Sequence, residues 1–247
     1  MQIKRVVDII IAFCGIAFFA PLLIPLVIFI WIQDFHSPIY KAPRVGKGGN
    51  LFNILKLRSM VYKADEMGVD STSNNDQRIT TIGHFIRRVK LDEIPQLLNV
   101  LQGTMSLVGP RPNVQNETLM YTEEEKKLLT VRPGITDIAS IVFSDEGAIL
   151  SQSEDPDLDY NRLIRPWKSR LGILYVENQS CLLDLQLLFL TALSLISKQK
   201  SLYYIKHILI ALNADSKLIE VSGRAMPLFP FPPPGSSEIV FSRKIPN

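Results

Sequence analysis

A run of 24 residues without a charged side chain, at positions 9–32, lies near the N-terminus of this 247-residue chain. In a helix it would extend about 36 Å, more than the ~30 Å hydrocarbon thickness of a bilayer. The run is longer than the apolar region of a usual signal peptide, and no small-residue cleavage site follows it. We therefore interpret it as a retained membrane segment.

Two prolines near the middle of the run, Pro21 and Pro25, leave its path open. Each proline removes a backbone donor and disfavours helix at the preceding residue. Basic residues flank the run on both sides, at Lys4 and Arg5 and again at Lys41, Arg44 and Lys47. A single crossing would place one basic group outside the cell, whereas a re-entrant hairpin would keep both in the cytoplasm. Composition alone supports a kinked span and a hairpin about equally.

The rest of the chain, from residue 37, mixes charged and apolar residues as a globular domain does. The chain is 47% hydrophobic, which is enough for a real core and argues against disorder. Its 27 basic and 24 acidic residues give a net charge of +3, which is too balanced for a nucleic-acid binder. Of the two cysteines, Cys14 lies in the apolar run and Cys181 far along the chain, so neither a disulfide framework nor a zinc motif is indicated. We expect a reduced, cytosol-facing domain and no nucleic-acid partner.

The local sequence patterns predict a mainly α-helical fold with a small β-hairpin. Two short strands are expected around Gly48-Gly49-Asn50, a combination that favours a turn. Helices are expected at residues 82–89, 92–103, 119–129 and 182–197, a loop or a frayed helix at residues 61–77, and a loop at residues 151–159. The tail from Arg224 is proline-rich and is not expected to form a helix or a central strand.

The most informative segment for function is LDEIPQLLNVLQGTMSLVGPRP, which contains the adjacent carboxylates Asp92 and Glu93. In the simplest interpretation Asp92 caps a helix and Glu93 interacts favourably with its dipole. A functional interpretation draws on the neighbouring basic residues, since positive groups at a helix N-terminus can hold a phosphate. An Asp kept ionised there could act as a nucleophile while its neighbour shares a Mg²⁺. These neighbours are Arg87, Arg88 and Lys90 before the pair and the turn Gly109-Pro110-Arg111-Pro112 after it.

This segment resembles the signature of the bacterial monotopic phosphoglycosyl transferases, small members of the bacterial sugar transferase family. Further motifs follow the order of that family and together cover residues 3–196. They are KRVVDIIIA, PRVGKGGNLFNILKLRSM, DQRITTIGHFIRR, VRPGIT and LYVENQSCLLDLQLLFLT. Because several independent motifs occur in one order, the functional interpretation of Asp92 and Glu93 becomes the better one.

The resemblance implies a phosphoglycosyl transferase that moves a sugar-1-phosphate from a UDP-sugar to undecaprenyl phosphate and releases UMP. Such a step begins glycan assembly, for O-antigen, capsule, exopolysaccharide or glycoprotein, at the cytoplasmic face of the bacterial inner membrane, with Mg²⁺ as cofactor. The implied fold is α/β, mainly α, and monotopic in the phospholipid membrane, with interfacial amphipathic helices. It implies three parts: a re-entrant helix hairpin at residues 1–36, a catalytic domain containing a β-hairpin at residues 37–200, and a C-terminal segment at residues 201–247.

The resemblance also assigns roles to residues of this chain. Asp92 is the expected nucleophile towards the β-phosphate, which would give an aspartyl-phosphosugar intermediate. Glu93 is expected to help hold Mg²⁺, together with Asp92, or to assist proton removal. The residues expected to bind substrate are Arg87, Arg111, Pro112, Lys56, Arg58 and Arg132. For Lys56 and Arg58 a surface position, and for Arg132 a role in bracing the turn, are the alternatives.

Several questions stay open at the level of sequence. Thr104, Gly172 and Thr136-Asp137 depart from common residues of the family, which leaves the sugar undecided. The segment at residues 203–212 is equally consistent with an interfacial helix, a helix packed on the domain or a homodimer contact. Two other functions remain as alternatives: a catalytically silent, membrane-anchored nucleotide-sugar-binding scaffold, and a single-span protein whose soluble domain binds another phosphorylated ligand.

Overall fold

The computed structural model describes residues 2–64 and 76–241, and it is mainly helical. Helix α1 spans Gln2–Ile32 and is followed by the antiparallel strands β1, Ile39–Val45, and β2, Leu51–Leu57. Ile39 lies opposite Leu57, and Val45 lies opposite Leu51. The connection is a tight turn in which Gly48 and Gly49 have φ of 70° and 82°, values that glycine adopts readily. The predicted hairpin is confirmed.

A second, parallel pair of short strands lies close to the middle of the fold. It consists of β3, Ser106–Val108, and β4, Gly134–Thr136. The backbone segments at Gly109, directly after β3, and at Gly134 in β4 lie very close together. A Cβ atom on Gly134 would be 2.1 Å from the backbone nitrogen of Gly109. Glycine is therefore required at the point where β4 passes the Gly-Pro-Arg-Pro turn.

Helices account for most of the remaining described residues. Thr80 and Ser180 cap α2 and α9 by accepting hydrogen bonds from Gly83 N and Leu183 N, which explains where these two helices begin. The predicted helices at residues 82–89 and 182–197 are confirmed. The helices are α2 Thr81–Arg88, α3 Gln96–Gln102, α4 Gln115–Leu119, α5 Ile138–Val142, α6 Glu146–Ile149, α7 Pro156–Asp159, α8 Arg165–Glu177, α9 Cys181–Ile196, α10 Lys198–Ala211 and α11 Ser216–Ser222.

The elements predicted at residues 119–129 and 151–159 need correction. The helix predicted at residues 119–129 is wrong, because α4 ends at Leu119 and a separate 3₁₀ turn covers Glu125–Thr130. Thr122 and Glu125 begin this turn by exchanging hydrogen bonds between side chain and backbone, each at 3.1 Å. The loop predicted at residues 151–159 contains the short helix α7. Of the loop or frayed helix predicted at residues 61–77, positions 65–75 lie outside the described residues.

The main hydrophobic core joins the two ends of the sequence. Ala12 of α1, Val100 of α3 and Ile138 of α5 are buried in it together with Leu187 of α9 and Leu209 of α10. The N-terminal helix is therefore packed into the same core as the C-terminal helices. The proposed division at residues 36 and 200 stays a prediction.

Helix α1 is continuous from Gln2 to Ile32, with both prolines inside it. It is long and apolar enough to cross a membrane by length and composition alone. Near one end Ser106 Oγ donates to Asp8 Oδ2 at 2.8 Å, and at the other end Arg58 donates to Ile30 O at 3.2 Å. Both ends therefore contact the globular part. The structure gives one helix rather than two separate halves, and the re-entrant path stays a prediction.

Between α11 and residue 241, the last residue that the structure describes, the C-terminal tail contains no helix, as expected, but it packs on α8. The ring of Phe231 stacks on Trp167 with centroids 4.4 Å apart. Arg170 donates to Pro232 O at 2.9 Å, and Thr122 Oγ1 donates to Pro234 O at 2.6 Å. Residues 231–234 of the tail are thus packed against the rest of the fold.

Candidate active site

The carboxylate pair lies in a tight turn rather than at the start of a helix. Lys90 has a φ of 56°, in the left-handed region, and a 3₁₀ turn over Leu91–Glu93 follows it. Helix α3 begins only at Gln96, after Pro95, so the helix start expected at Asp92 is wrong. The turn lets Leu91 pack with Leu57 and Ile86 in a second hydrophobic cluster. Asp92 and Glu93 line the adjacent cavity.

Glu93 is held by two cationic side chains. Arg111 donates to both carboxylate oxygens, with Nη1 3.3 Å from Oε2, and Lys56 Nζ lies 3.2 Å from Oε1. Burial alone would raise the pKa of Glu93, but Arg111 and Lys56 outweigh burial and hold it well below its usual range. In return, the charge of Glu93 raises the pKa of Arg111. Glu93 is consequently ionised at neutral pH.

Asp92 has the opposite electrostatic balance. It is 8% exposed, and burial raises its pKa above 3.8, although Lys56 lowers it. The charge of Glu93 raises the pKa of Asp92 further, whereas the charges of Arg87 and Arg111 lower it. The basic residues thus favour the ionised form of Asp92 as expected, but burial has the larger effect. The two neighbouring carboxyl groups therefore have pKa values shifted in opposite directions, which is typical of functional sites.

Two adjacent cavities meet at Asp92. The first, about 650 Å³, lies along the β-hairpin and is lined by residues that include Tyr40 and Tyr62. The second, about 670 Å³, contains Glu93 and Arg111, and we call it the arginine cavity. Asp92, Lys56 and Arg87 line both. Each volume is in the range usual for small-molecule sites, so Asp92 is accessible to ligands from two sides.

The predicted substrate-binding residues divide into two groups. Lys56, Arg87, Arg111 and Pro112 line the arginine cavity with the carboxylate pair. Arg132 is exposed, and its Nε donates to Gly103 O at 2.9 Å, so its observed contact braces a turn. Its assignment as a substrate ligand stays a prediction.

Arg58 lines the hairpin cavity, but its observed hydrogen bonds are structural. Both terminal nitrogens donate to the carboxylate of Asp34, beyond the end of α1, and Nη2 also donates to His36 O at 3.4 Å. The hydrogen bonds from Arg58 lower the pKa of Asp34 to about 2. Arg58 therefore attaches the end of α1 to β2, and its role in binding substrate stays a prediction.

Sequence reasoning missed one side of the arginine cavity. Glu146 and Lys168 form an ion pair there, near Ser140, Ser144 and Tyr160. These residues lie about 50 positions or more after the carboxylate pair in the sequence, and no motif links them to it. The sequence shows that Glu146 and Lys168 carry opposite charges, but only the packing of α6 and α8 brings these two residues to the cavity.

The donor set suits a magnesium ion that is shared with a substrate. Mg²⁺ in phosphate-handling sites commonly takes one or two carboxylates and completes its shell with phosphate oxygens and water. Asp92 and Glu93 provide two such carboxylates in one cavity. Within residues 2–64 and 76–241, no cluster of three or more His, Cys, Asp or Glu side chains could hold a metal by itself. These residues fit a substrate-bridged Mg²⁺ rather than an all-protein metal cage.

Two buried carboxyl groups with shifted pKa values, in a cavity lined by basic side chains that suit phosphate, are features of an enzyme that acts on phosphorylated substrates. Comparison with known protein families identifies the family within this class. The model of the bacterial sugar transferase family matches residues 1–198, and the chain belongs to that family.

Curated relatives carry names that describe lipid-linked sugar transfer. The undecaprenyl-phosphate galactose phosphotransferase of Salmonella typhimurium is 36% identical over 186 residues, covering 68% of this chain and 36% of its own. The UDP-glucose:undecaprenyl-phosphate glucose-1-phosphate transferase of Caulobacter vibrioides is 36% identical over 172 residues, covering 67% and 64%. An uncharacterized sugar transferase of Haemophilus influenzae is 36% identical over 206 residues, covering 76% and 40%. The chain thus spans less than two thirds of the length of each of these relatives.

Proposed function

We propose that this chain is a phosphoglycosyl transferase that moves a sugar-1-phosphate from a UDP-sugar to undecaprenyl phosphate and releases UMP. The observation that carries the proposal is the carboxylate pair Asp92 and Glu93, which faces a cavity lined by Lys56, Arg87 and Arg111. Family membership and the names of the relatives support the same reaction. They do not select the sugar, since one relative is named for galactose and another for glucose.

The chemistry that this arrangement supports has two steps. A carboxylate oxygen of Asp92 attacks the β-phosphorus, and the bond to the α–β bridging oxygen breaks, so UMP leaves with the bonding electron pair. A phosphate oxygen of the lipid then attacks the same phosphorus and displaces Asp92, which forms the polyprenyl-diphospho-sugar. The covalent intermediate means that the two anionic substrates need not be bound at the same time.

The basic side chains offset the charge that both steps bring together. Arg87 and Lys56 border both cavities, so they can interact with phosphate on either side of Asp92. Glu93 is a poor proton acceptor because Arg111 and Lys56 hold its pKa low. We assign Glu93 to positioning these two cations and, with Asp92, to holding Mg²⁺. The bound ion would supply positive charge to the diphosphate oxygens.

We further propose that α1 enters the cytoplasmic leaflet of the inner membrane and returns, which makes the protein monotopic. Asp8 near one end of α1 and Ile30 near the other are about 33 Å apart along a straight helix, and both bond to the globular part. Both flanks of the apolar run therefore lie on the side of the globular part, as a re-entrant path requires. Pro21 and Pro25 are a physical cause for bending, because interior prolines break hydrogen bonds of the helix.

The reaction is tested by mixing the purified protein with undecaprenyl phosphate, Mg²⁺ and a panel of UDP-sugars and measuring UMP release. Turnover of at least one UDP-sugar that depends on the lipid is expected. Binding of UDP-sugars without UMP release in any mixture would contradict the proposal and favour a nucleotide-sugar-binding scaffold.

The membrane path is tested with a single cysteine at residue 2, after Cys14 and Cys181 are replaced by serine. A membrane-impermeant thiol reagent should label this cysteine only after the cells are permeabilised. Labelling in intact cells would place the N-terminus outside and establish a span across the bilayer.

A further inference from the structure

The side of the arginine cavity away from the carboxylate turn carries an ion pair. Glu146, at the start of α6, binds Lys168 of α8 through its Oε2 atom, and both line the cavity that contains Asp92. The side chain of Glu146 is 31% exposed and that of Lys168 is 17% exposed. Both groups are therefore available to a ligand in the cavity, yet each is partly shielded from water.

Neighbouring contacts restrain the segments that carry Glu146 and Lys168. Asp145, next to Glu146, bonds to Lys198 of α10 at 2.7 Å and to Arg224 after α11 at 3.4 Å. The ammonium group of Lys168 lies 5.2 Å from the ring centroid of Tyr160, a cation–π contact. Fixed donors and acceptors discriminate between ligands better than mobile ones.

The charge on this side differs from that around the carboxylate turn. Lys56, Arg87 and Arg111 leave an excess of positive charge beside Asp92 and suit phosphate. Glu146 and Lys168 neutralise each other, and the carboxylate would repel a phosphate. With the hydroxyl groups of Ser140 and Ser144 they line a surface with donors and acceptors but no net charge. Such a surface suits a neutral, hydroxyl-rich group.

The position of the pair relative to the reacting centre favours a sugar over a nucleobase. Glu146 lines the same cavity as Asp92 and Arg111, and Arg111 bonds Glu93 directly. In a UDP-sugar the sugar is attached to the β-phosphate that Asp92 would attack. The uracil ring is separated from that phosphate by the α-phosphate and the ribose.

We infer that Glu146 and Lys168 bind hydroxyl groups of the sugar in the UDP-sugar and determine which sugar the enzyme accepts. This inference rests on the proposed function. A site with partly buried hydrogen-bonding groups discriminates against a sugar whose hydroxyl points elsewhere, because those groups then lose their partners.

The test compares sugars that differ only at C4, namely UDP-glucose with UDP-galactose and UDP-N-acetylglucosamine with UDP-N-acetylgalactosamine. kcat/KM for UMP release is measured for the wild type, Glu146→Gln and Lys168→Met, together with inhibition by UMP. Glu123→Gln is the matched control, since Glu123 pairs with Lys126 at 2.5 Å on an exposed surface. The control variant should behave as the wild type.

The expected result is a fall of roughly 10-fold to 100-fold in kcat/KM for the preferred sugar in Glu146→Gln and Lys168→Met. The ratio of kcat/KM values between the C4 partners should change by about threefold or more, with inhibition by UMP unchanged. An equal loss for all four sugars, or a parallel loss of inhibition by UMP, would overturn the inference. Absence of turnover by the wild type on every sugar would instead refute the proposed function.

The double variant Glu146→Lys with Lys168→Glu serves if either single variant fails to fold, as judged by its thermal transition. It keeps an ion pair but exchanges the donor and the acceptor. A changed preference between the C4 partners supports the inference. Recovery of the wild-type preference would mean that the pair is only structural and would overturn it.

Discussion

Two glutamate–arginine pairs in this protein have different surroundings. Glu125 and Arg165 are 0% and 2% exposed, and Ser169 Oγ donates to Glu125 at 2.7 Å while Met120 O accepts from Arg165 at 2.6 Å. The Glu93–Arg111 pair borders a cavity of about 670 Å³. The first pair is sealed in the interior and the second is open to a ligand.

The difference shows which features mark a functional site. An ion pair with its hydrogen bonds satisfied explains only local structure, as the Glu125–Arg165 pair does. Beside Glu93 there are also further cations and a second carboxyl group, Asp92, whose pKa is raised by burial. The surplus of ionisable groups around an accessible volume, rather than the ion pair itself, indicates catalysis.

The largest expected effect is the loss of activity when Asp92, the carboxyl group beside the Glu93–Arg111 pair, is replaced. Asp92→Asn should reduce lipid-dependent UMP release by about 10³-fold or more, because the amide cannot act as the nucleophile. The protein should still fold, since the substitution removes a charge whose burial is unfavourable. UMP release and thermal unfolding are measured on the same preparation. Retained turnover would refute the assignment of Asp92.

The sealed pair should instead control stability. Glu125→Gln leaves the guanidinium of Arg165 buried without a countercharge and should cost about 3 kcal/mol or more in the free energy of unfolding. Denaturant titration in detergent measures this, with Lys127→Met in the exposed Lys127–Glu177 pair as a control that should cost little. A Glu125→Gln protein as stable as the wild type would show that the interior tolerates the unpaired cation.

Arg111→Ala should weaken the use of UDP-sugars. The loss of a cation beside the reacting phosphate should lower kcat/KM by roughly 10²-fold. The fraction of protein recovered with membranes should not change, because Arg111 lies in the cavity rather than on α1. Unchanged kinetics would reject a role for Arg111 in binding or catalysis.

The opposite pKa shifts of Asp92 and Glu93 predict opposite effects of pH on stability. The pKa of Asp92 is raised, so the folded state binds its proton more tightly, and its unfavourable effect disappears as pH falls through the raised pKa. Glu93 has a lowered pKa and stabilises the fold above its unfolded pKa, an effect lost only in more acidic solution.

Asp92→Asn should therefore be more stable than the wild type at neutral pH, with the difference shrinking on acidification. Thermal unfolding of both proteins across this range measures the difference. kcat/KM of the wild type should fall over the same range, since the nucleophile becomes protonated. A stability difference independent of pH would contradict the assigned shift of Asp92.

The smallest effect is expected for Arg132→Ala. Arg132 is exposed and bonds to Gly103 O, so its loss should cost at most about 1 kcal/mol and change kcat/KM by less than about threefold. A large loss of activity with normal stability would restore the predicted role of Arg132 as a substrate ligand.

Local patterns in the sequence predicted the β-hairpin, α2 and α9 well, because turn glycines and capping residues act over a few positions. These local patterns gave wrong predictions where the structure depends on a residue distant in the sequence. The segment rich in Glu and Lys at residues 119–129 has the pattern of an exposed helix, but Glu125 is buried against Arg165 and only a 3₁₀ turn forms after it.

The candidate site was predictable on one side only. The family motif contains Asp92, Glu93 and Arg111, so resemblance was sufficient to find them. Glu146 and Lys168 come to the cavity through the packing of α6 and α8, which no short motif encodes. Arg58 lies in a motif, but its contacts with Asp34 depend on where α1 ends.

The packing of α1 also bears on how such a protein can be altered or can evolve. Ala12 is fully buried, and a Cβ atom added at Gly15 would lie 3.0 Å from Leu97 Cδ1 of α3, the helix that directly follows the carboxylate turn. Helix α1, the proposed membrane segment, is therefore not an interchangeable anchor. A foreign transmembrane segment grafted in its place would remove support beneath the carboxylate turn, so under the proposed function attachment to the bilayer and catalysis are inherited as one unit.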